Sequence, residues 1–77
     1  QSSHLRRAFE TFSSRFASTQ PERVQQAARK LLGNPNAQVR ISAARALRKL
    51  DTASARSSFQ RYLGTEKEEW VKQAVQE

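Results

Sequence analysis

Leu32-Gly33-Asn34-Pro35-Asn36-Ala37-Gln38-Val39-Arg40-Ile41-Ser42-Ala43-Ala44-Arg45-Ala46-Leu47 is the stretch that decides the fold of this chain. Gly33 stands where a helix ends, Asn34-Pro35-Asn36 forms a turn, and a second helix follows. From about Ala37 to Leu50 the side chains Val39, Ala43, Ala46, Leu47 and Leu50 recur every three or four residues, the period of one helical face. Ile41 and Ala44 lie beside that face and widen it, so this helix touches neighbours in two directions. A middle helix of a stack has that form.

Shifting the chain by 31 residues lays it over itself. Leu32-Gly33 falls on Leu63-Gly64, Ala43 on Ala74, Val39 on Trp70, Leu31 on Tyr62, Ala28 on Phe59 and Ala44 on Val75. Backwards, Ala8 meets Val39, Phe12 meets Ala43, Phe16 meets Leu47, and Gln20-Pro21 meets Asp51-Thr52. A period of this size means stacked supersecondary units, none of which buries its apolar face alone.

Working outward from the central helix, four more helices follow. Leu5, Ala8, Phe9, Phe12 and Phe16 form an aromatic stripe on a first helix over about Ser3 to Ser18. Pro21 and Glu22 open a second, which runs to about Leu32 and buries Val24, Ala27, Ala28, Leu31 and Leu32. Asp51 or Thr52 starts the fourth, with Ala55, Phe59, Tyr62 and Leu63 inward and Gly64 at its end. Thr65 and Glu68 have the spacing of a capping box, which starts the fifth at about Glu66 and buries Trp70, Val71, Ala74 and Val75. Helices of this length joined by turns of a few residues pack as antiparallel hairpins. The expected fold is therefore all-α, a five-helix α-solenoid of two and a half repeats: a hairpin over 3–33, a second over 36–64 and a half repeat over 66–77. The missing initiator Met and the stop inside a helical pattern lead to the expectation of one module excised from a longer protein. On that basis part of Trp70 is expected to remain exposed.

The quoted stretch resembles the HEAT-like repeats first named for phycobilisome lyases, in which an acidic or amide turn leads to a Val-Arg doublet, two alanines and a leucine. Here these are Asn34, Val39-Arg40, Ala43-Ala44 and Leu47. The resemblance covers about 60 residues, although the Val-Arg motif occurs once, with Phe9 and Val71 at the equivalent positions under the shift. It implies that Arg40 is structural, bonding Asn34 or Asp51 so that one hairpin locks to the next. It also implies that the second helix of each hairpin lines a concave face. On that face the helical wheel puts Gln26, Arg29, Lys30, Arg56, Gln60 and Arg61 as candidate partner-binding residues, with Arg40, Asn34, Asp51, Gly33 and Gly64 as structural ones.

Charge gives the second signal. The 77 residues carry 14 Lys and Arg against 7 Asp and Glu, a net charge of +7 with pI near 11.2. It is unevenly spread, because residues 66–77 sum to −2 and the first 65 to +9. Ten of the cations are Arg, whose planar fork suits carboxylate or phosphate. The reading adopted is a non-catalytic protein-interaction scaffold, a monomer that presents a basic concave surface to an acidic protein partner. A nucleic-acid phosphate backbone is the alternative partner; charge supports it, but no aromatic is interleaved with the cations and no RNA-recognition, KH or zinc-finger signature occurs. The resemblance leaves a third reading open, an accessory or regulatory domain of a larger enzyme such as a lyase or a zinc aminopeptidase. Arg45, Arg48 and Lys49 also lie off the apolar stripe of the central helix. All these cations equally fit solvated faces of amphipathic helices.

Little supports chemistry. His4 is the only histidine and has no Cys, Asp or Glu at metal-ligand spacing, while the nine serines lack a nucleophile motif. The Glu66-Glu68-Glu69 group fits the start of a helix, where carboxylates complement the dipole. No cofactor or metal is expected, and absence of Cys rules out disulfides. No apolar stretch approaches the roughly 20 residues of a membrane span. A soluble chain of unassigned compartment is the expectation.

Overall fold

The computed structural model describes residues 2–77 as five α-helices and, among these residues, no strand. They are α1 (Ser2–Phe16), α2 (Pro21–Leu31), α3 (Ala37–Leu50), α4 (Ala53–Leu63) and α5 (Glu69–Gln76). The arrangement is a short α-solenoid. α3 is its centre and packs against all four other helices.

Local chemistry sets each start. Pro21 and Glu22 open α2 without a side-chain cap from Gln20. Asn36 caps α3, its Oδ1 accepting from the amides of Gln38 at 2.9 Å and Val39 at 3.2 Å. One step earlier Asn34 Oδ1 accepts from the Asn36 amide at 2.8 Å, which fixes the turn. Thr52 caps α4 by accepting from the Ala55 amide at 3.0 Å.

The core explains why α3 is central. Val39, Ala43, Ala44 and Leu47 are fully buried, with Ile41, Ser42 and Ala46 nearly so, leaving little of that helix but Arg45, Arg48 and Lys49 exposed. Its alanines let neighbouring backbones approach closely from several directions, where larger side chains would hold them apart. Ser42 is buried but satisfied, donating to Glu10 Oε2 at 2.5 Å.

Several expectations need correction. α1 ends at Phe16, with residues 17–19 in a turn, and its aromatic stripe is only partly inside. Phe9 is buried, Phe12 and Phe16 are half-buried and stack at 5.3 Å, and Leu5 is 40% exposed. The reason is position: α1 is covered on one side only, and Arg15 and Arg23 lie over the outer aromatic rings at 5.4 and 5.9 Å. Gly33 and Gly64 do stand where α2 and α4 end, though neither is left-handed; Leu32 and Gly64 cap their helices with φ of −62° and −69°. The left-handed residue is Asp51, which ends α3 at φ 52°.

α5 begins at Glu69, three residues later than expected, and Glu68 makes no side-chain cap. Thr65 does not form a capping box: its hydroxyl donates backwards to the Tyr62 carbonyl at 2.8 Å, and Glu66 turns inward. In consequence α5 is displaced by one residue against the shift of 31. Val71 and Val75, fully buried, occupy the places of Val39 and Ala43, an offset of 32. Trp70, expected in core register but partly exposed, is 51% exposed. α2 and α4 keep the offset of 31, Val24 matching Ala55 and Ala28 matching Phe59, all buried.

Three outcomes follow from these geometries. Gly33→Ala should raise stability by about 0.4–1 kcal/mol in thermal melts, because a Cβ there meets nothing within 4 Å and the unfolded chain loses freedom. Asp51→Val should lower it by about 1–2 kcal/mol, the penalty of a branched side chain in the left-handed region. Trp70 fluorescence should be long-wavelength and quenched by iodide; a blue emission shielded from quencher would contradict the phase of α5.

Candidate functional site

Two features stand out once the helices are placed: a guanidinium cluster that ties the turns together and a furrow between α2 and α4.

The cluster is built on Arg40 in the first turn of α3. Its Nε donates to Glu66 Oε1 at 2.9 Å, and its Nη2 donates to Glu66 Oε2 at 3.2 Å and to Glu68 Oε2 at 2.9 Å. Nη1 donates to the carbonyls of Asn34 at 2.8 Å and Pro35 at 3.1 Å. Tyr62 on α4 donates its hydroxyl to Glu66 Oε1 at 2.5 Å, and the Glu68 amide donates to Glu66 Oε2 at 3.2 Å. One cation thus joins the α2–α3 turn, α3, α4 and the α4–α5 connection. Of the two partners that the family resemblance implied, Asn34 is bonded through its carbonyl, whereas the carboxylate of Asp51 is 2.6 Å from Arg56 instead.

Burial decides which of these contacts matter. The side chain of Glu66 is 3% exposed and that of Arg40 13%, so this two-toothed pair is shielded from solvent, whereas Glu68 at 51% is half in water. Burial pushes the Glu66 carboxyl up, but bonds from Arg40, Tyr62 and the Glu68 amide outweigh it and hold the carboxyl below its ordinary 4.5. The Arg40 guanidinium is raised, first by its bond to Glu66. Burial and then the Glu66 bond push the Tyr62 phenol well above 10.

The furrow has two depressions. Gln25 of α2 donates to Ser54 Oγ of α4 at 2.6 Å. Toward the helix starts, Pro21, Glu22, Gln25, Gln26, Arg29, Thr52 and Ser54 line a depression of about 340 Å³. Toward the helix ends, Arg29, Leu32, Gly33, Ser58, Arg61, Tyr62 and Thr65 line another of about 250 Å³. Of the six sequence candidates, Gln26, Arg29 and Arg61 line this furrow. Lys30 and Gln60 are exposed but line neither depression, and Arg56 donates to the carbonyl and carboxylate of Asp51 at 3.0 and 2.6 Å, at the end of α3. Leu32 and Tyr62 read from the sequence as core positions of their helices, and nothing in the sequence singles out Ser58. Arg45 and Arg48 have a different occupation: they donate to the carbonyls of Ala74, Val75 and Glu77 at 2.8–3.2 Å, bringing cationic charge to the end of α5.

Among the described residues no group of three or more His, Cys, Asp or Glu is placed to hold a metal, and no helix is long and apolar enough to cross a membrane.

The sequence model for HEAT repeats matches residues 5–77. The chain belongs to the HEAT-repeat family. HEAT repeats generally serve as protein-interaction scaffolds and are typically non-catalytic. Neither the search of curated proteins nor that of solved structures found a match.

Removing Glu66 tests the cluster. Glu66→Ala strands a shielded guanidinium and should cost about 3 kcal/mol, whereas Glu68→Gln should cost less than about 1 kcal/mol, as urea unfolding would measure. Because the folded Glu66 carboxyl is depressed, its contribution is complete above pH 4.5 and drains as pH falls through the lower folded value. Tyr62 acts in the opposite sense: its contribution is intact below pH 10 and is lost as pH climbs beyond it. A pH series should therefore show a plateau between those limits, with the acid limb flattened in Glu66→Ala.

Proposed function

We propose that this HEAT-repeat module is a scaffold that captures an acidic protein segment in the furrow between α2 and α4, taken as the concave wall of the stack. The observation that carries the reading is the pairing of Arg29 from α2 with Arg61 from α4 on one depression, whose lining includes no carboxylate. Two guanidiniums on opposite walls favour carboxylates that enter between them, by charge-assisted and two-toothed hydrogen bonds. Lys30 adds field without contact, as an exposed cation next in sequence to Arg29. The surplus of +7 accelerates encounter with such a partner. Arg40 is structural in this reading and takes no part in capture. The Val39-Arg40, Ala43-Ala44, Leu47 pattern supports placing the module with the phycobilisome-lyase type of HEAT repeat.

The competing partner, a phosphate backbone, draws on the same charge. Fluorescence anisotropy separates the two, with a labelled polyglutamate peptide and a labelled random duplex DNA at about 50 mM salt. The expected result is peptide binding that weakens about tenfold in Arg29→Glu/Arg61→Glu while thermal stability is unchanged. DNA binding tighter than peptide binding, with a steep loss on adding salt, would transfer the function to nucleic acid. Equal peptide binding by wild type and the double variant would remove the furrow from the account.

A further inference from the structure

We infer that the captured segment carries one apolar side chain directly flanked by acidic residues, and that this side chain enters the depression between Leu32 and Tyr62. This rests on the furrow reading above and adds to it the chemistry of the ligand.

The depression of about 250 Å³ is cationic at its walls but not at its base. Tyr62 is 5% exposed and its hydroxyl is committed to Glu66, so what it offers a visitor is ring. Leu32 is half-buried beside it. Gly33 contributes no side chain, and a Cβ built there would meet nothing within 4 Å, so the space is open rather than filled by the protein's own atoms. An apolar base between two guanidiniums fits a ligand that is apolar at one side chain and anionic at its neighbours; a run of carboxylates alone would leave the half-buried Leu32 uncovered.

The depression that adjoins it shares Leu32, Gly33, Tyr62 and Thr65 but carries Glu66 and Glu68, and two others do not match this chemistry either. The one toward the helix starts contains Glu22, which repels a carboxylate, and its Gln25, Gln26, Thr52 and Ser54 offer mixed donors and acceptors suited to the ligand's amides. The one between α1 and α3 has the cations Arg45 and Lys49 but also Glu10, and its apolar lining is limited to Ala17 and Ala46. Location and sign together therefore assign the anchor to the Leu32–Tyr62 end, with Arg29 shared between that depression and its polar neighbour.

The test compares two fluorescein-labelled peptides, Asp-Glu-Phe-Asp-Glu and Asp-Glu-Gly-Asp-Glu, by anisotropy at equal salt. The Phe peptide should bind about tenfold tighter. That advantage should vanish in Gly33→Leu, whose added side chain occupies the open space without a left-handed backbone to strain. Equal binding of both peptides to the wild type overturns the anchor while leaving the acidic-segment reading in place. Failure of both peptides to bind overturns the two together. The wild-type comparison decides the matter even if Gly33→Leu folds poorly.

Discussion

The contact on which the arrangement depends is the shielded pair of Arg40 and Glu66. A guanidinium has five N–H donors, and here they reach two carbonyls of one turn, both oxygens of one carboxylate and one oxygen of another. Helix packing alone leaves successive hairpins free to slide or pivot against each other, since apolar contact has no direction. A planar, multiply bonded cation at the junction removes that freedom. It also explains the shape of the α4–α5 connection: Glu66 is drawn in to meet Arg40 and Tyr62, and α5 cannot begin until the chain has turned out again at Glu69.

Most of the helical layout was legible because it follows from local rules. α3 runs from Ala37 to Leu50, as its apolar period and Asn36 imply. What escaped was long-range. Thr65 and Glu68 have the spacing of a cap, yet a partner 26 positions away takes Glu66 and overrides it. Nothing in the neighbourhood of Glu66 announces that partner, and without it the one-residue change of register that turns Trp70 outward has no visible cause. Gly33 and Gly64 do mark the ends of α2 and α4, but the residue that adopts the left-handed backbone is Asp51.

The candidate surface was legible to the same depth. A helical wheel tells which side of a helix a cation occupies but not how far round, nor what lies opposite. Arg29 and Arg61 face a common depression; Arg56, on the same kind of polar face, folds back on Asp51 and ties the end of α3 to the start of α4. Leu32 and Tyr62 lie on the buried sides of their helices, and the gap above them shows only in the fold.

The central place of α3 has an effect beyond stability. Both banks of the furrow, α2 and α4, rest on this one helix. It therefore works as a spacer whose thickness sets how far apart the banks stand. The small side chains of Ala43 and Ala44, in one core with Ala28 of α2 and Phe59 of α4, hold that spacing near its minimum. A bulkier residue at one of them would push the banks apart from behind, so the girth of an acceptable visitor is governed by residues that it never meets.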